Sequence, residues 1–276
     1  TAEIAAPTPV VAPARPTKPA APVRHDFSFD RAPEQGGVIL ARVPTGTSSV
    51  SLDGNALPIT DDGYVLLGFN RDAEATAKLE WIADGTSGSR ILSVKPGNWN
   101  IERVNLSLPR GGRASARRQG ELAQIRAARA KARDVDGWRQ KFIWPVNYRK
   151  VSGGRLSGFF GSQRYYRGQP GGYHTGLDIA APTGTPFKAP ADGVVTLATK
   201  SPFSREGYLL MVDHGMGLNS AFVHCSAILV EEGQRVKQGD VIGRIGRTGS
   251  ATGPHLHWSM MWNASRVDPL LMLPKI

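Results

Sequence analysis

The chain has 276 residues, with 34 Lys and Arg against 23 Asp and Glu, a formal net charge of +11 and one cysteine. This length suits two domains better than one small one, and the single thiol excludes an internal disulfide. No run approaches the roughly 20 apolar residues of a membrane-spanning helix, and the positive charge points to anionic surroundings.

Residues 1–26 are rich in alanine and proline, as in Ala6-Pro-Thr-Pro-Val-Val-Ala-Pro-Ala-Arg-Pro16. Such a run cannot bury a core and is expected to be a disordered spacer that leaves His25 solvated. The chain starts at Thr1 with no basic-then-apolar leader, so a processed product is expected.

Residues 27–108 change character. Val38–Val43, Ser49–Leu52, Tyr64–Gly68, Ala77–Trp81, Arg90–Val94 and Ile101–Leu106 are short apolar runs divided by Gly, Asp, Asn and Pro. Their even spacing predicts a small β-sandwich serving as an accessory domain. Trp81 and Trp99 are assigned to core packing rather than to carbohydrate contact.

Residues 109–141 predict a basic helical linker. Ala, Arg, Leu, Gln and Glu dominate from Arg113 to about Arg139, and Leu122, Ile125 and Ala128 or Arg129 step at helical spacing. Between Arg110 and Lys141 ten basic residues stand against three acidic ones. The expectation is a solvated linker helix. Its functional alternative is contact with an anionic wall polymer or membrane surface. Without aromatic interleaving, no nucleic-acid partner is expected.

Residues 142–276 read as a β-rich second domain, and its chemistry is concentrated between Gly172 and Trp258. That stretch holds His174, Asp178, His214, His224, His255 and His257. His255 and His257 are two apart, so a strand turns both to one side. His174 and Asp178 are four apart and share a face on a strand, and Gly176 between them argues against a helix. Two histidines and a carboxylate are a common protein set for catalytic zinc, with a further position left open. The remaining imidazoles can act as general acid, general base or oxyanion partner. His214, in Val212-Asp-His-Gly-Met-Gly217, is assigned to a turn, and Cys225 to a buried position on the face opposite His224.

These residues carry a resemblance to a known family. His174–Asp178, His224 and Thr248-Gly-Ser-Ala-Thr-Gly-Pro-His255-Leu-His257 resemble the motifs of the lysostaphin-type, or LytM-like, zinc endopeptidases of bacterial cell walls. Pro182–Pro186, Ala191–Val195 and Gly239–Gly243 match as well, and the likeness runs from about Phe142 to Leu273. It implies zinc ligands His174, Asp178 and His257 and catalytic histidines His224 and His255. It also implies a mainly β chain: a small N-terminal β-sandwich-like domain, a linker helix and an antiparallel β-sheet peptidase domain over 142–276. Phe222 departs from the family's usual tyrosine. Lying two before His224, it is expected to share that face and alter how the site packs.

The implied activity is zinc-dependent hydrolysis of peptidoglycan cross-links, at D-alanyl–meso-diaminopimelate bonds, by an exported protein of a Gram-negative periplasm or envelope. The alternatives are a catalytically inactive LytM-like activator of a wall amidase and a cell-wall-binding scaffold module.

Overall fold

The structure, a computed structural model, describes residues 23–108, 115–131 and 134–274. The Ala/Pro-rich run expected to act as a spacer lies almost wholly outside them. His25 is within them and exposed.

Eight strands come first: β1 (Ser28–Phe29), β2 (Val38–Arg42), β3 (Thr47–Leu52), β4 (Asn55–Leu57), β5 (Tyr64–Gly68), β6 (Thr76–Ala83), β7 (Thr86–Ser93) and β8 (Ile101–Val104). They build a sheet of order β1-β2-β5 and a second of order β4-β3-β6-β7. Two Asp-Gly pairs make the tight hairpins. Asp53 and Gly54 have φ of 48° and 77°, and Asp84 and Gly85 of 48° and 74°. Both positions of each two-residue loop are left-handed, the turn whose twist matches the flanking strands. The inner faces carry Val50, Leu52, Ala77 and Leu79, all buried. Trp81 meets Phe27 edge-on at 5.0 Å, and Trp99 meets Phe160 at 5.6 Å. β8 leaves the sandwich to pair in parallel with β10 (Gln163–Tyr166).

The helix α1 spans Ala116–Ala130, with Ser115 Oγ capping it by accepting from the Arg118 N–H at 3.2 Å. It is shorter than the sequence suggested and is not solvated all round. Asp and Val are weak helix formers, and beyond α1 the chain passes through Asp134-Val-Asp into a short 3-10 turn, Gly137–Arg139, that buries Trp138. Glu121, Ile125 and Ala128 are buried. Ile125 and Ala128 pack on Leu197, Phe203, Leu209, Met211, Ala221 and Val223.

The remaining strands are β9 (Arg155–Gly158), β10, β11 (Gln169–Tyr173), β12 (Leu177–Ala180), β13 (Pro186–Lys188), β14 (Gly193–Ala198), β15 (Tyr208–Asp213), β16 (Leu218–Cys225), β17 (Ala227–Ile228), β18 (Arg235–Val236), β19 (Val241–Arg244), β20 (His255–Trp262) and β21 (Ser265–Val267). A short helix α2 (Pro269–Met272) follows them. The central antiparallel sheet has the order β18-β14-β15-β16-β20-β12-β9, with β21 added beside β20. Period-two alternation divides its core. Leu210, Val212, Phe222 and Trp258 join a cluster that continues into the N-terminal sandwich, while Leu209, Met211, Ala221 and Val223 form the patch under α1. Gly68 and Trp262 join the two halves closely: a Cβ on Gly68 would lie 2.4 Å from the indole ring.

Candidate metal centre and groove

Strand register assembles the site. In β12 and β20, Asp178 lies opposite His257, so both side chains leave the same face. His255 shares that face by alternation. His174 arrives just ahead of β12, where its N–H donates to Ser162 O at 2.8 Å. Three donor atoms converge. His257 Nδ1 is 2.7 Å from Asp178 Oδ1, and His174 Nε2 is 3.1 Å from both Asp178 Oδ1 and His257 Nδ1.

His174 Nδ1 lies 3.0 Å from Phe159 O. A carbonyl only accepts, so Nδ1 carries a proton and Nε2 is the nitrogen turned toward the other donors, the usual arrangement behind a metal-binding imidazole. Tetrahedral zinc with donors at about 2.0–2.1 Å would set them roughly 3.3 Å apart. The two imidazoles and one carboxylate therefore fit a zinc ion in both chemistry and spacing.

Two glycines keep this space open. A Cβ on Gly158 would sit 2.4 Å from Asp178 Oδ2, and one on Gly176 would sit 2.8 Å from His257 Nε2. Burial alone would raise the Asp178 pKa, but hydrogen bonds from His174 and His257 override it and hold the carboxyl well below its usual range. Burial lowers His257. His174 is also disfavoured as a cation by burial, yet its bond to Asp178 carries it above the ordinary value.

His224 reaches the site by an exception to alternation. Val223 lies opposite His257 and Phe222 opposite Trp258. Regular pleating would therefore send His224 to the core side with Phe222. Instead His224 has φ of 63°, a left-handed conformation that costs an L-residue roughly 1–2 kcal/mol and turns the ring back to the groove. Its ring centroid is 4.9 Å from that of His255 and 6.4 Å from that of His257. Phe222 thus does not share the face of His224. It is fully buried and stacks between Phe187 and Trp258 at 5.2 and 6.3 Å.

The same carbonyl logic fixes both remaining rings. His224 Nδ1 lies 2.8 Å from Thr248 O, and His255 Nδ1 lies 2.8 Å from Gly253 O. Each Nδ1–H donates to a carbonyl, which leaves each Nε2 free to exchange a proton. Burial lowers the His224 pKa, partly opposed by Thr248. His255 Nε2 is 3.8 Å from Asp178 Oδ1, so it sits beside the donor set. The backbone acceptors Phe159, Thr248 and Gly253 had no signal in the sequence, because a carbonyl's aim depends on the fold and not on residue type.

His214 lies outside this group. Fully buried, it donates from Nδ1 to Asp192 O at 2.8 Å and accepts at Nε2 from Ser220 Oγ at 2.9 Å. Trp258 Nε1 in turn donates to Ser220 Oγ at 3.0 Å. Cys225 is fully buried, and burial pushes its thiol up to about 12.

Beside the donor set, α1 and the strands it packs on border a groove of about 490 Å³. His224, His257 and Tyr173 line it together with Arg118, Arg129, Arg205 and Arg266 and the carboxylate of Glu206. The N-terminal sandwich supports the first histidine. Arg71 is only 7% exposed and donates to Gly161 O from Nε and Nη2, at 3.1 and 3.0 Å. Its guanidinium lies 4.8 Å from the centre of the Tyr173 ring.

The sequence pattern of Peptidase family M23 matches residues 172–269, a span that includes all five of these site residues. The chain is 44% identical over 97 residues to the DD-carboxypeptidase/endopeptidase Mpg of Neisseria meningitidis, covering 35% of this chain and 22% of that protein. With the same coverage it is 41% identical to the peptidoglycan DD-endopeptidase ShyA of Vibrio cholerae. The chain therefore spans about a fifth of the length of these curated relatives. A crystal structure described as a putative peptidase M23 from Pseudomonas aeruginosa is similar with a TM-score of 0.63 at 28% identity, covering 87% of this chain and 94% of that one.

Proposed function

We propose, from the match of residues 172–269 to the pattern of peptidase family M23, that the protein is a zinc endopeptidase that hydrolyses peptide cross-links of peptidoglycan. The bond assigned is D-alanyl–meso-diaminopimelate, and the place of action is the envelope of a Gram-negative bacterium. The observation that carries this reading is the convergence of His174 Nε2, Asp178 Oδ1 and His257 Nδ1, flanked by two imidazoles with free Nε2 atoms.

When bound by His174, Asp178 and His257, zinc would supply Lewis-acid activation of water and of the scissile carbonyl. His224 and His255 would move the protons. One Nε2 would take a proton from the attacking water and pass it on to the leaving amine, and the other, when its ring is protonated, would donate a hydrogen bond to the developing oxyanion. Thr248 O and Gly253 O hold these rings in the required tautomer. The groove receives the peptide, and the basic outer face of α1 would favour an anionic wall by attraction that salt weakens.

The inactive-activator and scaffold readings rank lower, because this chain retains the donor set and both flanking histidines. The test is mass spectrometry of purified peptidoglycan after incubation with the protein. Cross-linked muropeptide dimers are expected to become monomers with glycan strands intact. Untouched dimers, with glycine released from pentaglycine instead, would overturn the choice of bond. No product of either kind would overturn the enzyme reading.

A further inference from the structure

The groove holds four arginines against one carboxylate, Glu206, and that carboxylate is already engaged. Arg118 Nη2 donates to Glu206 Oε1 at 2.7 Å, and Arg118 Nη1 also reaches Glu121 at 3.2 Å. Arg129 is in a different position. It projects from the last turn of α1, and its Nε is buried with no hydrogen-bond partner among the described residues. A buried guanidinium nitrogen without an acceptor is costly. A second guanidinium adds to the cost, since Arg266 on β21 lines the same groove. Burial first, and then the positive charge of Arg266, draw the Arg129 pKa down to about 10, which still leaves it cationic at neutral pH.

Two like charges held together beside a reaction site, one of them with an orphaned donor, are what a bound anion would resolve. The planar fork of arginine matches a carboxylate in both geometry and charge. Because His224 and His257 line the same groove, the anion would lie on the peptide being cut. In a D-alanyl–meso-diaminopimelate link, the carbon that bears the scissile nitrogen also bears a free carboxylate. We infer that Arg129 and Arg266 form a subsite for a free carboxylate of the peptide substrate next to the scissile bond, and that they select cross-links whose carboxylate is unmodified. This rests on the peptidase reading above and adds its specificity. It also gives α1 a role in recognition, as the element that carries half of the subsite to the sheet.

The test compares two purified cross-linked muropeptide dimers, identical except that the diaminopimelate carboxyl beside the bond is free in one and amidated in the other. The wild type is expected to show a kcat/KM at least about 10-fold higher for the free acid. Arg129→Gln and Arg266→Gln should each bring that ratio close to one, chiefly by lowering kcat/KM for the free acid. Arg126→Gln, an exposed change on the same helix, should keep the wild-type ratio and so control for net charge. Since Arg129 Nε has no hydrogen-bond partner among the described residues, Arg129→Gln should keep or raise the urea midpoint, which separates lost recognition from lost folding. A wild type that cuts both dimers equally, or variants that keep the full preference, would overturn the subsite. If the wild type cuts neither dimer, the peptidase reading is what fails. Calorimetric titration with the same two uncleaved dimers then decides the subsite: tighter binding of the free acid, lost in Arg129→Gln, supports it, and equal binding overturns it.

Discussion

Four residues of the site fall into two pairs by how they are held, and substitutions should separate the pairs. His174 and Asp178 supply converging donors, whereas His224 and His255 spend Nδ1 on backbone carbonyls and keep Nε2 free. His174→Ala and Asp178→Ala are expected to lose the single equivalent of zinc, read by metal analysis after dialysis against a mild chelator. His224→Ala and His255→Ala should retain it and lose roughly 100-fold or more in turnover; loss of metal from either would make that residue a ligand. His214 gives a pH dependence. Burial holds its folded pKa at about 4, below the ordinary 6.5. The unfolded chain therefore binds the extra proton first. The stabilisation is fully present above pH 6.5 and is lost as pH falls from there toward 4, by up to about 3 kcal/mol. Urea unfolding between pH 7 and 4.5 should show this slope in the wild type, and His214→Gln should flatten it by about one proton.

At the scale of elements, the polar anchor of α1 is as telling as its apolar face. Glu121 is buried and accepts from Ser204 N at 2.8 Å, from Ser204 Oγ, and from Arg117 and Arg118. Burial would raise its pKa, but those donors bring it down to about 2. Its contribution is present above the unfolded value near 4.5 and is lost as pH falls from there toward 2. Glu121→Ala is expected to cost about 2 kcal/mol in urea unfolding at pH 7, with faster amide exchange in α1 if the helix loosens first. The sequence could suggest a helix here because its composition is local. It could not suggest the anchor, because Ser204 lies 83 residues away in the chain. The same distinction runs through the site. His255 and His257 were legible as a same-face pair, since alternation alone sets them. His224 was legible only by family likeness, and Phe222 was misassigned to its face, because the left-handed conformation at His224 breaks the alternation from which that shared face was read.

At the scale of the whole molecule, the N-terminal sandwich and the groove are linked through Arg71. Its two bonds to Gly161 O and its contact with the Tyr173 ring bear on the segment that delivers His174. Arg71→Ala is expected to lower kcat/KM by about 10-fold while zinc stays at one equivalent, since misplacing a reacting group by a fraction of an ångström is enough for such a loss. Unchanged kinetics would mean the sandwich does not position the site. The pairing of β8 with β10 has a further consequence, in time. It sets Ile101 beside Gln163, 62 residues later in the chain, and the segment it fixes leads directly to His174. Closing so large a loop is slow compared with forming hairpins. A chain growing from its N-terminus would complete its sandwich while most of the donor residues were still unmade. His257, the last of the three donors in chain order, would be the last to emerge. On this view the order of synthesis itself delays assembly of the donor set until the sandwich, α1 and most of the central sheet have been made.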